Sequence, residues 1–432
     1  MSAAAPGGEG LPVASAVSRT AWLSLALLFG VNFLNYIDRQ VIFAVQVLIQ
    51  HDFSLTDAQL GTLGSAFMIV YMAASPITGY LADRWPRQWF VSAGVGLWSL
   101  ATGAAGLAGD YWHLMTARAA VGIGEAGYAT VSPGLLSDLF PPSMRGRIMS
   151  IFYMATPVGS ALGIVLGGYL GEHYGWRTAF MVVGLPGLLA ALAALWLPDP
   201  PRGGLDGGAS KGAARPGLAD YRKLLEIPSF LINTAGMAAY TFSMGGLIAW
   251  MPTYFVRERG MRLDEATFKF GAISVAAGIL GTIAGGWLGD RLQRRIPGAY
   301  FLLSGCGLAL GVPCAITSVA VADPTLSWSL LFLAEFFLFL NTGPLNAALV
   351  NVVPAAMRGT AFACNIFFIH LLGDVPSPPL IGMLSDHFGL ARAVIVASLP
   401  MGLGSIIYFA GRGAYARDLE RMRAPEAGAS QV

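Results

Sequence analysis

Twelve runs of roughly twenty predominantly apolar residues divide this chain, and they leave few folds open to it. A helix rises 1.5 Å per residue, so about twenty apolar residues cross the ~30 Å hydrocarbon core of a bilayer. The runs fall near 21–49, 56–81, 88–109, 112–136, 146–171 and 176–197, then near 228–252, 267–289, 298–321, 326–350, 358–383 and 390–411. Only 12% of the residues are charged, half the share of an ordinary globular domain. The spacing therefore predicts an all-α membrane protein with twelve transmembrane helices. Residues 1–20 lack the pattern of a cleaved leader, because the apolar run behind them is too long and carries charges; it is expected to stay as the first helix.

Loop charge orients the bundle. If the N-terminus is cytoplasmic, the inside segments hold 18 Lys and Arg and the outside loops hold 6. Both termini are then expected on the cytoplasmic side of a multi-pass protein. Three lysines against 23 arginines, with abundant Ala and Gly, point to a GC-rich bacterial genome and hence to an inner membrane. Cys306, Cys314 and Cys364 fall inside apolar runs and read as small core residues. A net charge of +2 says nothing about nucleic-acid or acidic partners, and no nucleic-acid partner is expected.

Four ionisable residues break the apolar pattern where it is most expensive to break. Asp38 and Arg39 sit inside the first run, beside Asn35 and Tyr36, and Arg118 and Glu125 sit inside the fourth. A charge at mid-membrane costs at least about 2.5 kcal/mol, so it survives only beside a partner or a watery cavity. Adjacent helix residues diverge by about 100°, so Asp38 and Arg39 need partners on another helix. Arg118 and Glu125, two turns apart on one face, can supply them.

The chain also repeats itself. Gly79-Tyr-Leu-Ala-Asp83-Arg84-Trp-Pro-Arg87 recurs as Gly286-Trp-Leu-Gly-Asp290-Arg291-Leu-Gln-Arg294, and Pro141-Pro-Ser-Met-Arg-Gly146 recurs as Pro354-Ala-Ala-Met-Arg-Gly359. The offsets agree closely, so two homologous six-helix halves are expected: 21–197 and 228–411. Residues 1–20 form a cytoplasmic lead, 198–227 a linker rich in Pro, Gly and charge with one short helix near its end, and 412–432 a charged tail.

These residues resemble the major facilitator superfamily, whose best-known signature is the G-x-x-x-D-R-x-x-R loop after the second and eighth helices. The Asn35-Tyr-Ile-Asp-Arg39 run, Arg118 with Gly122-Ile-Gly-Glu-Ala126, and Met154-Ala-Thr-Pro157 look more narrowly like the Spinster branch. The resemblance covers essentially the whole chain. It implies two pseudo-symmetric six-helix bundles and secondary transport, with sphingolipid or lysolipid phosphates as cargo.

Gly79 is expected to let the second helix approach a neighbour closely. Asp83 is placed to cap a facing helix N-terminus, which the superfamily fold assigns to the eleventh helix. Arg84 and Arg87 should anchor at the surface, with Asp138 as mate; Asp290 and Arg291 repeat the device, and Asn351 in the place of Asp138 should weaken it. Gly122-Ile-Gly-Glu-Ala-Gly127 satisfies the dinucleotide fingerprint, but no strand precedes it, so its glycines read as packing residues.

The expected function is proton-coupled export or import of an amphipathic anion by alternating access. Asp38 and Glu125 would carry the proton, and Arg39 and Arg118 would meet a phosphate bidentately. Asn35, Tyr36, Tyr153, Tyr240 and Glu335 would line the cargo path, with Phe242 and Trp250 beside the acyl chain, and His370 and Asp374 stand as further polar groups. Asn341 and Asn346 keep a small organic anion or sugar acid open as cargo, and a lipid receptor or scramblase is the alternative of another class. No cofactor, metal or enzymatic constellation is expected. The partners are membrane lipids, protons and the cargo, with the chain acting as a monomer.

Overall fold

The computed structural model describes residues 17–82, 84–202, 218–354 and 357–423, and every regular element among them is helical. Span 1 is α1 (Arg19–Ala44) continued by α2 (Gln46–Phe53), span 2 is α3 (Asp57–Ala82), and span 3 is α4 (Arg87–Ala105). Span 4 is α5 (Tyr111–Ala129) with α6 (Ser132–Leu139), span 5 is α7 (Pro142–Tyr174), and span 6 is α8 (Trp176–Gly184) with α9 (Pro186–Ala194). A short helix, α10 (Leu218–Leu225), precedes the second half. There, span 7 is α11 (Pro228–Arg257), span 8 α12 (Leu263–Gln293), span 9 α13 (Ala299–Ala320), and span 10 α14 (Pro324–Phe339) with α15 (Thr342–Asn351). Span 11 is α16 (Arg358–Ile369), a π-helical turn His370–Asp374 and α17 (Ser377–Phe388), and span 12 is α18 (Leu390–Arg423).

Among the described residues, nine helices are long and apolar enough to cross a membrane. Spans 3, 4 and 7 complete the twelve, with Gly, Ser, Thr, Trp and Tyr diluting their aliphatic side chains. Side chains stop several helix ends from fraying: Ser18, Asp110 and Asp323 accept the backbone N–H of Ala21, His113 and Leu326. Proline at the first or second position restarts the helix after the breaks in spans 4, 6 and 11.

The two halves pack alike. Span 1 lies on span 5, spans 3 and 2 on span 4, and span 3 on span 6; in the second half span 7 lies on span 11, spans 9 and 8 on span 10, and span 9 on span 12. The halves meet through spans 2 and 11, spans 5 and 8, and spans 1 and 7. Glycine makes the close approaches. A Cβ at Gly163 would stand 2.5 Å from the Ile37 carbonyl, and one at Gly61 2.2 Å from the Pro378 carbonyl.

Two faces result. The signature face carries Arg84, Arg87 and Arg291; the far face carries Asp52, Asp57, Arg257 and Asp386. Among the described residues, the ion pair that joins the halves, Arg257 with Asp57 at 2.7 Å, lies on the far face. So do the inter-half hydrogen bonds of Gln46, Gln50, Ser65, Leu263 and Ser385. The molecule is closed at the far face and splayed at the signature face.

This state corrects one expectation directly. A Cβ at Gly79 would meet nothing within 4 Å, because the opposing helix stands away at the splayed face. The chain beyond 411 also differs from a charged tail. The helix runs on to Arg423, with Tyr415 and Leu419 buried and Asp418 accepting the backbone N–H of Ser229 at 3.0 Å, so it closes the start of span 7. Cys306 is exposed on the bundle's circumference, a lipid-facing position for a small thiol instead of a core one.

Candidate functional site

Asn32, Asn35 and Asp38 recur every three residues along α1, so one helix face carries them into the first half, all at most 4% exposed. Arg118 and Glu125 face them from α5, 1% and 0% exposed. Two glycines on α5 permit the crowding. A Cβ at Gly122 would stand 2.5 Å from the Phe67 carbonyl on span 2, and one at Gly124 2.6 Å from the Gly94 carbonyl on span 3. That use of the glycine-rich run is packing, with no nucleotide cradle.

The charges are joined unevenly. Arg39 Nε donates to Glu125 Oε2 at 2.5 Å, the pair expected between spans 1 and 4. The Arg39 guanidinium also sits against three rings, 4.9 Å from the centroid of Phe67 and 5.1 Å from those of Tyr36 and Tyr71. Asp38, by contrast, makes no ion pair with Arg118. Its Oδ2 accepts from Thr102 Oγ1 on span 3 at 2.7 Å, while Oδ1 has no partner. Arg118 lies 5.4 Å from the Phe67 ring, and its Nε and Nη1 have no hydrogen-bond partner. The centre of the first half thus holds one closed ion pair and one buried guanidinium with donors to spare.

Thr102, Phe67 and Tyr71 escape a search for charges alone. Thr102 had a signal, as one of the few polar residues in span 3, one turn from Ser99. Phe67 and Tyr71 form an i, i+4 aromatic pair on span 2.

The other expected residues scatter. Tyr153 is half exposed and neighbours Tyr36 and Tyr71, so it belongs to the rim of this site. Tyr240 is buried on span 7 beside Thr342 of span 10. Glu335 is buried between spans 8 and 10, accepting from Ser274 Oγ at 3.1 Å, apart from the first-half charges. Trp250 is fully buried and donates to the Pro378 carbonyl, a packing role instead of a cargo contact. His370 Nδ1 lies 2.9 Å from Asp374 Oδ1 inside the π-helical turn, so Asp374 holds the imidazole across the helix break. Asn341 and Asn346 direct their amide donors to carbonyls of their own helix.

At the signature face, Arg87 pairs with Asp138 at 2.7 Å and with Asp199 at 3.2 Å. Arg84 takes no part in that lock; it is exposed, folds over the Tyr80 ring and donates to the Tyr80 carbonyl. Asp290 accepts from Tyr300 at 2.7 Å, and Arg291 lies against Trp287. Asp83 lies outside the described residues. Among the described residues, no cluster of His, Cys, Asp and Glu suits a metal.

The profile of the Major Facilitator Superfamily matches residues 28–373. Protein spinster of Drosophila melanogaster is 34% identical over 384 residues, which are 86% of this chain and 63% of the fly protein. Protein spinster homolog 1 of Homo sapiens is 35% identical over 405 residues, 88% of this chain and 76% of the human one. The chain belongs to the major facilitator superfamily, in its Spinster branch. A crystal structure of a bacterial homolog of the human lysosomal transporter Spinster, inward-facing and unoccupied, superposes with a TM-score of 0.86 at 25% identity, over 93% of this chain and 99% of that one. The Spinster-branch fold accounts for the paired halves and the splayed face alike, and members of the branch are transporters, not enzymes.

Proposed function

We propose that this Spinster-branch protein is a proton-coupled secondary transporter of an amphipathic anionic lipid, of the lysophospholipid or sphingosine-phosphate kind. The observation that carries this reading is Arg118. It is 1% exposed, and two of its guanidinium nitrogens have no partner. A buried cation left in that condition is costly, and an incoming phosphate would meet it with strong charge-assisted hydrogen bonds. Tyr36, Phe67, Tyr71 and Tyr153 gather around the same charges and suit the start of an acyl chain. The polar-cargo alternative gains little support from Asn341 and Asn346, whose amide donors go to their own helix.

Asp38 is the coupling residue in this reading and Glu125 the second acid. Among the described residues Thr102 is the one hydrogen-bond donor on Asp38, so the charged form of Asp38 depends on Arg118 nearby and, less, on Arg39. A phosphate that takes Arg118 leaves Asp38 in an apolar site, where protonation relieves it. Substrate and proton then bind together without touching. The signature face is cytoplasmic by its Lys and Arg excess, the membrane is the bacterial inner membrane, and the chain works as a monomer. Gly79, Asp83, Arg87 with Asp138, and Asp290 form the gate of that face. Arg84 and Arg291 anchor it.

Purified protein in liposomes under a pH gradient tests this. Wild type should accumulate lysolipid or sphingoid phosphate, whereas Asp38→Asn should exchange cargo but not concentrate it. Equal accumulation by Asp38→Asn would remove Asp38 from coupling, and gradient-independent flux by wild type would favour a scramblase.

A further inference from the structure

The loop signature occurs twice, but its Gly-x-Leu-x-acid core ends each of spans 2, 5, 8 and 11, the spans that pair 2 with 11 and 5 with 8 across the halves. Gly79-Tyr-Leu-Ala-Asp83 and Gly286-Trp-Leu-Gly-Asp290 end spans 2 and 8. Gly168-Tyr-Leu-Gly-Glu172 and Gly382-Met-Leu-Ser-Asp386 end spans 5 and 11 at the opposite face. The latter two continue alike, as His-Tyr-Gly175 and His-Phe-Gly389, and both glycines turn the chain with positive φ, 83° and 86°. Each acid closes a span that crosses to the other half.

The far-face acids meet helix N-termini across that boundary. Asp386 Oδ1 accepts the backbone N–H of Asp57 at 2.8 Å, and Oδ2 accepts that of Ala58 at 3.0 Å, so one carboxylate grips the first turn of span 2. Glu172 Oε2 accepts the N–H of Leu263 at 3.3 Å, at the start of span 8. A carboxylate is favoured there by the free N–H groups and by the positive end of the helix. The two caps differ in support. Asp57 itself accepts from Ser385 at 2.5 Å and from Arg257 and Gln50 at 2.7 Å, tying spans 1, 2, 7 and 11 together. Its counterpart Asp264 turns to Arg262 of its own segment at 2.8 Å. Backbones also touch at the first cap, where a Cβ on Gly382 would stand 2.2 Å from the Asp57 carbonyl.

We infer that Asp386 and Glu172 are the paired latches of the far face, reciprocal caps of which Asp386 on span 2 is dominant and Glu172 on span 8 auxiliary. Opening that face requires the carboxylate of Asp386 to leave two backbone N–H groups at once. The inference rests on the alternating-access reading above, but its test does not.

Spin labels at His51 and Arg392, both exposed on the far face, report the separation of the halves there by pulsed electron resonance, in protein free of native cysteine. Wild type should show one short distance. Asp386→Ala should shift the closed-to-open ratio by about tenfold, the size expected for losing charge-assisted hydrogen bonds. Glu172→Ala should shift it less, and Asp264→Ala not at all. Asp386→Asn, which keeps the shape and one acceptor, should fall between and guards against a misfolded alanine variant. Wild-type distances in both Asp386 variants, or an equal shift in Asp264→Ala, would overturn the latch. Distances are read without cargo or gradient, so a failed flux assay and a failed latch are separate results.

Discussion

The two halves share one architecture and divide its chemistry. The first holds two acids and two arginines near the middle of spans 1 and 4, with Arg39 joined to Glu125, Asp38 to Thr102, and both arginines set against aromatic faces. The second packs around Tyr240, Trp250 and Tyr408, and the acid buried at mid-span in it, Glu335, has a serine for partner. A duplicated fold can therefore keep its helix contacts while one copy holds the charge and the other holds the apolar surface. The amphipathic cargo proposed above would need both, and the two copies would supply one each. The asymmetry extends to the gates, where Asp386 makes two backbone contacts and Glu172 one.

The sharpest break of this comparison is to remove one member of the first-half ion pair. Glu125→Ala leaves the partly buried Arg39 packed against three rings without its anion, and loss of a partner from a buried pair costs up to about 3–5 kcal/mol. Denaturant titration in detergent should show that loss, and Arg39→Ala with Glu125→Ala together should recover part of it. Glu335→Gln, in the second half, should change stability by no more than about 1 kcal/mol, since it gives up only its hydrogen bond with Ser274. Equal losses at the two acids would end the division of labour.

Next in size is the head-group contact. Arg118→Ala should weaken binding of a lysolipid phosphate by about 10–100-fold, the worth of charge-assisted hydrogen bonds, and leave a neutral analogue within about twofold. Tyr153→Ala should weaken both alike. Calorimetric titration with the two ligands separates the cases, and equal loss for both ligands in Arg118→Ala would reduce that arginine to a structural counter-ion.

Glycine substitutions sharpen the contrast between the packed interior and the splayed face. Gly122→Ala pushes a methyl group onto the Phe67 carbonyl and should destabilise by about 1–3 kcal/mol. Gly79→Ala meets nothing in this state and should melt as wild type does, while slowing the transport cycle when that face must close. Thermal midpoints beside flux rates provide the measurement.

The smallest effect belongs to the far-face rim. Hydrogen bonds from Arg177 and from Trp176 hold the Asp52 carboxyl below its usual range. A depressed carboxyl contributes stability above its unfolded value and loses it as pH falls through the folded one, so the contribution should fade below about pH 4. The group is exposed, so Asp52→Asn should flatten the acid limb of a stability profile only slightly.

The sequence by itself determined the number of spans, the duplicated halves and the identity of the buried charges. Hydrophobic length, repeat spacing and the penalty for charge in hydrocarbon are properties of the chain, legible residue by residue. It also pointed to Arg39 with Glu125, because a charge at mid-span must find a mate and few were on offer. Tertiary structure alone decided the rest. Whether Asp38 meets Arg118 or Thr102 depends on how spans 3 and 4 pack beside span 1, and they touch at Gly94 and Gly124, a close fit that no sequence pattern encodes. Gly79 illustrates the other limit: its neighbours depend on which face is open, and one sequence serves both states. Asp386 and Glu172 stood in plain view as acids at the ends of spans. Their role emerged only when the fold set each against a helix start some ninety or three hundred residues away, for a carboxylate becomes a cap only where backbone N–H groups are brought to it.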